Sequence, residues 1–110
     1  MVKLLFGSIV RDGESYLQRY FDQLYTLTPD YKVGLAITEG DSSDNTYAKI
    51  FELCPNEIDL YTFKYNHSGP KFGSVSNPTR WHNIAITWNS MLEGLTDVLI
   101  DYDYFVYMEA

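Results

Sequence analysis

Val33-Gly34-Leu35-Ala36-Ile37-Thr38, running straight into Glu39-Gly40-Asp41-Ser42-Ser43-Asp44-Asn45, is the stretch that decides the fold. An apolar run this short, bounded by a polar loop, reads as a buried strand. The loop then opens a helix that Ser43 or Asp44 caps through a side-chain oxygen. Tyr47, Ile50, Phe51 and Cys54 form that helix's buried stripe, and Pro55 ends it. Upstream the same unit is already present. Lys3 to Val10 is an apolar run that ends at Arg11-Asp12-Gly13-Glu14, after which Tyr16, Leu17, Tyr20, Phe21, Leu24 and Leu27 recur at three-and-four spacing until Thr28-Pro29-Asp30.

Downstream, Ile58 to Lys64 alternates Ile58, Leu60 and Thr62 against Asp59, Tyr61 and Phe63, as a strand lying towards a sheet edge does. Tyr65 to Asn77 carries Gly69, Pro70 and Gly73 without a sustained period, so it reads as a long loop of the kind that often serves function. Asn77-Pro78 then starts the clearest helix, with Asn as cap and Pro in the first turn. Its stripe is Trp81, Ile84, Ala85, Trp88, Met91, Leu92 and Leu95. Tyr104 to Met108 is a last strand. Strands alternating with helices predict an α/β fold, a parallel sheet of about four strands flanked by helices, with ligands outside the carboxyl ends of the strands. No internal repeat or linker divides residues 1–110.

Composition narrows the function classes. The chain has 110 residues, enough for one small domain, and it is 45% hydrophobic and 16% aromatic, too apolar for a disordered tail. A formal charge of −7 works against binding a polyanion by general electrostatics, which disfavours nucleic acid. A nucleotide remains compatible where a divalent cation stands between carboxylates and phosphates. The single cysteine, Cys54, makes no internal disulfide and reads as a buried thiol. The apolar run at the start is too short for a signal peptide, and no stretch approaches the ~20 apolar residues of a spanning helix. The expectation is a soluble, cytoplasmic chain without a membrane segment, though a longer parent with an anchor stays open.

The densest polar group is Glu39 to Asn45. One reading has Glu39 accepting a hydrogen bond from a base N–H, with Ser42 and Ser43 reaching ribose or water. The other has Asp41, Ser43 and Asp44 making turns and capping the helix. Arg11 and Asp12, at the end of the first strand, either bracket a base or ribose or form an ordinary helix-start loop. Arg80 either adds positive charge to phosphates, together with its helix's amino-terminal N–H groups, or is a solvated surface residue. His67 and His82 do not have a metal-binding spacing and read as packing or loop hydrogen-bonding residues. Trp81 and Trp88, at i and i+7, read as core anchors.

Glu39-Gly40-Asp41-Ser42-Ser43-Asp44-Asn45-Thr46 resembles the Asp-Asp-Gly-Ser-Ser-Asp-Asn-Thr segment of the family-two glycosyltransferases, which have the GT-A fold. The order of elements is similar too. Ser8 to Leu17 matches the family's first strand, polar loop and helix. Arg80, Ile84-Ala85, Trp88-Asn89 and Leu92 are similar to its helix before the fourth strand, with Trp88 where Arg is usual. Tyr104 to Ala110 is similar to the approach to its Asp-x-Asp motif. Fungal mannan-synthesising mannosyltransferases show a comparable pattern.

The resemblance implies the Rossmann-like, nucleotide-binding half of a GT-A domain, truncated before the metal motif is complete and inactive as a fragment. It implies a nucleoside diphosphate sugar as donor and a glycan or other hydroxyl as acceptor. Arg11, Asp12, Glu39, Asp41, Ser42 and Arg80 would bind the donor, with Glu39 reading the base. Glu109 would sit at a Mn²⁺ or Mg²⁺ ion. A different class is a small non-catalytic α/β module for a nucleotide or a protein partner. That class needs the chain to oligomerise, because the last strand would otherwise leave a sheet face and an edge poorly covered. A dinucleotide-binding oxidoreductase half is disfavoured by the lack of a Gly-x-Gly-x-x-Gly turn after the first strand.

Overall fold

The structure, a computed structural model, describes residues 1–68 and 77–109. In chain order the elements are β1 (Lys3–Val10), α1 (Leu17–Tyr25), β2 (Lys32–Glu39), α2 (Thr46–Leu53), β3 (Ile58–Lys64), α3 (Pro78–Gly94), a 3₁₀ turn (Leu99–Asp101) and β4 (Tyr104–Tyr107). Of the expected loop from Tyr65 to Asn77, residues 69–76 lie outside the described residues, as does Ala110 of the last expected segment.

The four strands form one all-parallel sheet in the order β3-β2-β1-β4. The fold is therefore α/β and Rossmann-like, as the alternation of apolar runs and helical stripes predicts. β1 and β2 pair along their whole length, from Lys3 opposite Lys32 to Val10 opposite Glu39. β3 takes the edge its alternation foretells, and β4 takes the other. The chain steps outward from β1 to β2 to β3, and α3 then carries it back to the far side of β1. That reversal splays the connections apart at the carboxyl ends of β1 and β4.

Strand parity sorts the core into two layers. Phe6, Val10, Val33, Leu35, Ile37 and Ile58 pack with Leu17, Tyr20, Phe21 and Leu24 of α1 and Ile50 of α2. Phe21 and Leu17 have no exposed surface, and burying side chains of this size stabilises by roughly 1.5–3 kcal/mol each. Within this layer Ser8 is buried. Its Oγ donates to the Met108 carbonyl at 2.6 Å and so accepts from the Tyr20 hydroxyl at 2.5 Å. Burial raises the Tyr20 phenol to about 12, so it remains a donor at neutral pH.

The other layer joins Leu5 and Ala36 to Met91 and Leu95, with Tyr61, Phe63, Trp88 and Tyr102 packed around them. Here the sheet presents small residues to large ones. A Cβ at Gly7 would overlap the Phe105 ring, and one at Gly34 would overlap Tyr102. Trp88 meets Phe105 edge-to-face at 6.4 Å and Tyr107 at 5.0 Å.

Four expected core positions differ. Trp81 is 53% exposed, and Ala85 and Leu92 are exposed as well. Trp81 shares a face with Trp88 but lies about 10 Å further along the helix axis. Its turn extends beyond the part of α3 that meets the sheet, so sharing a face does not bury it. Met91, Leu95 and Thr87 are the buried part of this stretch. Phe51 is also exposed, lying edge-to-face on Tyr47 at 5.2 Å at the margin of α2's stripe. Cys54 is half-buried, and burial raises its thiol to about 11, which leaves it a poor nucleophile. Among the described residues, no helix is long and apolar enough to cross a membrane.

Candidate functional site at the carboxyl edge of the sheet

Two loops leave the carboxyl ends of the central strands, and each turns on an aspartate in the left-handed region, Asp12 at φ 51° and Asp41 at φ 57°. Aspartate tolerates that conformation better than most residues because its short polar side chain bonds locally. The loops are laced together. Asp12 N–H donates to Ser42 Oγ at 3.0 Å, and Ser43 N–H donates to Asp12 Oδ1 at 2.6 Å. Gly13 N–H donates to Thr46 Oγ1 at 2.8 Å, Glu14 N–H to Asp44, and Asn45 N–H to Glu14. The cap position of α2 falls at Asn45, whose side chain makes no capping bond, and not at Ser43 or Asp44 as expected; Asp44, one residue earlier, accepts from the backbone N–H and the hydroxyl of Thr46, the first residue of α2. The Thr46 hydroxyl bond holds its carboxyl below the usual range. Several N–H groups of the β1–α1 turn, which in a dinucleotide-binding fold would face a pyrophosphate, are thus engaged by the second loop.

Glu39 falls in phase with Val33, Leu35 and Ile37, and only 1% of it is exposed. Its Oε2 accepts from Ser42 N–H at 3.2 Å. Its Oε1 lies 3.3 Å from Lys64 Nζ, an ion pair without good hydrogen-bond geometry, and is otherwise unsatisfied. Lys64 in turn sits over the Tyr47 ring at 4.5 Å.

Asp41 does something different. Its carboxylate accepts from His67 N–H at 2.8 Å and Ser68 N–H at 3.2 Å, while its own N–H donates to Asn66 Oδ1 at 2.8 Å. The His67 N–H does most to hold its carboxyl below the ordinary range, with smaller help from Ser68, the His67 ring and Arg11 against a modest burial penalty. The backbone of Tyr65 closes over Gly40, where any Cβ would overlap the Tyr65 carbonyl oxygen, and Tyr65 N–H donates to Glu39 O at 2.9 Å. Residues 65–68 therefore form a strap pinned across the end of β2. At its far side His67 Nε2 lies 2.9 Å from Thr87 Oγ1 on α3.

Between strap, strand ends and helix lies a cleft of about 400 Å³. Ile9, Val10 and Arg11 form its floor, Gly40, Asp41, Tyr65 and His67 one wall, Arg80, Asn83, Ile84, Thr87 and Trp88 another, and Tyr107, Met108 and Glu109 the last. Of the residues singled out in the sequence, Arg11, Asp41, Arg80 and Glu109 meet in this cleft. Asp12, Glu39 and Ser42 are not among its lining residues and belong to the lacing beneath it. The backbone N–H groups expected to assist Arg80 are partly taken, because Asn77 Oδ1 accepts from Thr79 N–H and Arg80 N–H. Positive charge at that wall comes from the Arg80 guanidinium.

Sequence reasoning gave His67 and Tyr65 no part in binding, yet both line the cleft. Their signal lies in the fold, since Asp41, which clamps His67, is 26 residues from it in the chain, and Tyr65 N–H is held by the Glu39 carbonyl. Among the described residues no three His, Cys, Asp or Glu side chains cluster as metal ligands. Comparison with protein-family models, with curated proteins and with solved structures finds no match to this chain.

Proposed function

We propose that the chain forms the donor-binding part of a GT-A-type glycosyltransferase, holding a nucleoside diphosphate sugar for transfer to an acceptor hydroxyl. The observation that carries the reading is the position of the cleft. It opens at the carboxyl ends of β1 and β4, where the strand order reverses, and that is where open parallel sheets bind nucleotides. Its lining suits such a ligand. Arg11 and Arg80 supply positive charge for phosphates, and the rings of Tyr65, His67, Trp88 and Tyr107 supply apolar faces for a base or sugar.

Glu109 is the carboxylate that fits a divalent cation, since Mg²⁺ is commonly held by one or two carboxylates together with substrate phosphates. Bound there, Mn²⁺ or Mg²⁺ would neutralise the diphosphate leaving group. The chain's own residues then have four tasks. Arg80 and Arg11 orient the diphosphate and offset its charge, and the strap covers the nucleoside. Ser8 fixes the Met108 carbonyl and so sets the path of the chain into Glu109. Glu39 contributes from below, by shaping the loop through Ser42.

The test is calorimetric titration with UDP, GDP and their sugars, with and without Mn²⁺, on the wild type and Arg80→Ala. One nucleotide should bind, and the variant should lose about tenfold in affinity, the size of a lost charge-assisted contact. A folded wild type that binds none of them would sink the reading.

A further inference from the structure

We propose that His67 is a ligand-contacting residue of this cleft, presented in one fixed tautomer so that Nδ1 accepts a hydrogen bond from an N–H or O–H group of the nucleoside. The inference rests on the nucleotide reading above. The tautomer follows from proton bookkeeping on Thr87. Its hydroxyl hydrogen is given to the Asn83 carbonyl at 2.8 Å, so toward the imidazole 2.9 Å away the oxygen acts as an acceptor. With the Thr87 hydrogen on the Asn83 carbonyl, Nε2 carries the imidazole proton. In the neutral ring Nδ1 is then an acceptor, and among the described residues it has no hydrogen-bond partner.

The ring is held from both ends. Asp41 grips the His67 and Ser68 N–H groups, Asn66 Oδ1 accepts from Asp41 N–H, and Tyr65 packs against the imidazole at 4.8 Å. Ser68 leaves the strap in the left-handed region, at φ 58°. This fixes one imidazole in the wall of a cleft without using the nitrogen that can accept. Tethered to β2 and α3, His67 stands on the wall away from Glu109 and β4, which is the nucleoside side when the diphosphate lies by Arg80 and Glu109. Asp41 on this account is a positioning residue that acts through the strap.

The experiment is ¹⁵N NMR of the imidazoles during titration with UDP and GDP, with His67→Gln used both to assign the signal and to test binding. The glutamine side chain keeps an N–H donor for Thr87, and its one acceptor, the amide oxygen, is bonded to the same carbon as that donor and does not stand at the ring position of Nδ1. The expected result is an Nε2–H tautomer before ligand is added, a shift of the Nδ1 signal on saturation, and about tenfold weaker binding by His67→Gln at an unchanged melting temperature. Nucleotides methylated at the base N–H, and 2′-deoxy nucleotides, then show which group donates, because the one that matters no longer moves Nδ1. An Nδ1–H tautomer overturns the proposal. So does binding that leaves Nδ1 unmoved and His67→Gln unimpaired, while the donor-site reading survives. Failure of every nucleotide to bind overturns both.

Discussion

The two faces of the sheet are built on different rules. Against α1 and α2, large aliphatic and aromatic side chains from strand and helix alternate in register, and the layer is closed from Phe6 to Ile58. Against α3, the central strands offer Gly7, Gly34 and Ala36 beside Leu5, the bulk is supplied by rings of the edge strands together with Trp88 and Tyr102, and the helix extends past its buried part. The first arrangement stores most of the stability. The second leaves a cleft where helix and strand ends diverge, so the face that contributes less to the core is the one that can receive a ligand.

Substitutions can break this contrast at graded strength. Phe21→Ala, which empties a site without exposed surface on the closed face, should cost about 3–5 kcal/mol in denaturant unfolding. A loss below that of any change on the α3 face would refute the division. Gly34→Ala pushes a methyl into Tyr102, a half-buried ring that can partly yield, and should cost about 1–3 kcal/mol. The 3.1 Å contact between the Tyr61 and Tyr102 hydroxyls should weaken with it, visible as a change in near-ultraviolet circular dichroism. Trp81→Ala should stay within about 0.5 kcal/mol, because the ring stands clear of the sheet. A larger loss would mean that the first turns of α3 contribute to the core after all.

Much of this was legible in the sequence. Among the described residues, all four strands and three α-helices follow from apolar period, proline and polar loops, because those signals are local. Glu39 shows what a motif conceals. Its place after a strand suggested a ligand contact, yet counting by twos from Val33 puts it on the α1/α2 side, with Ile37. Trp81 shows a limit of helical period, which reports a face and not how far the partner sheet extends. His67 was legible only as a packing or hydrogen-bonding residue of a long aperiodic loop, and its place in the cleft was not, since that depends on partners far along the chain, Asp41 and Thr87.

The lacing between the β1–α1 and β2–α2 loops has a kinetic consequence. Each loop supplies donors and acceptors to the other, so the two order together as the chain folds and neither can be lengthened or reshaped alone. The conformational entropy of that rim is surrendered before any ligand arrives. A guest at this edge meets a finished surface, and its arrival should follow simple one-step kinetics with no slow phase from closure of these two loops.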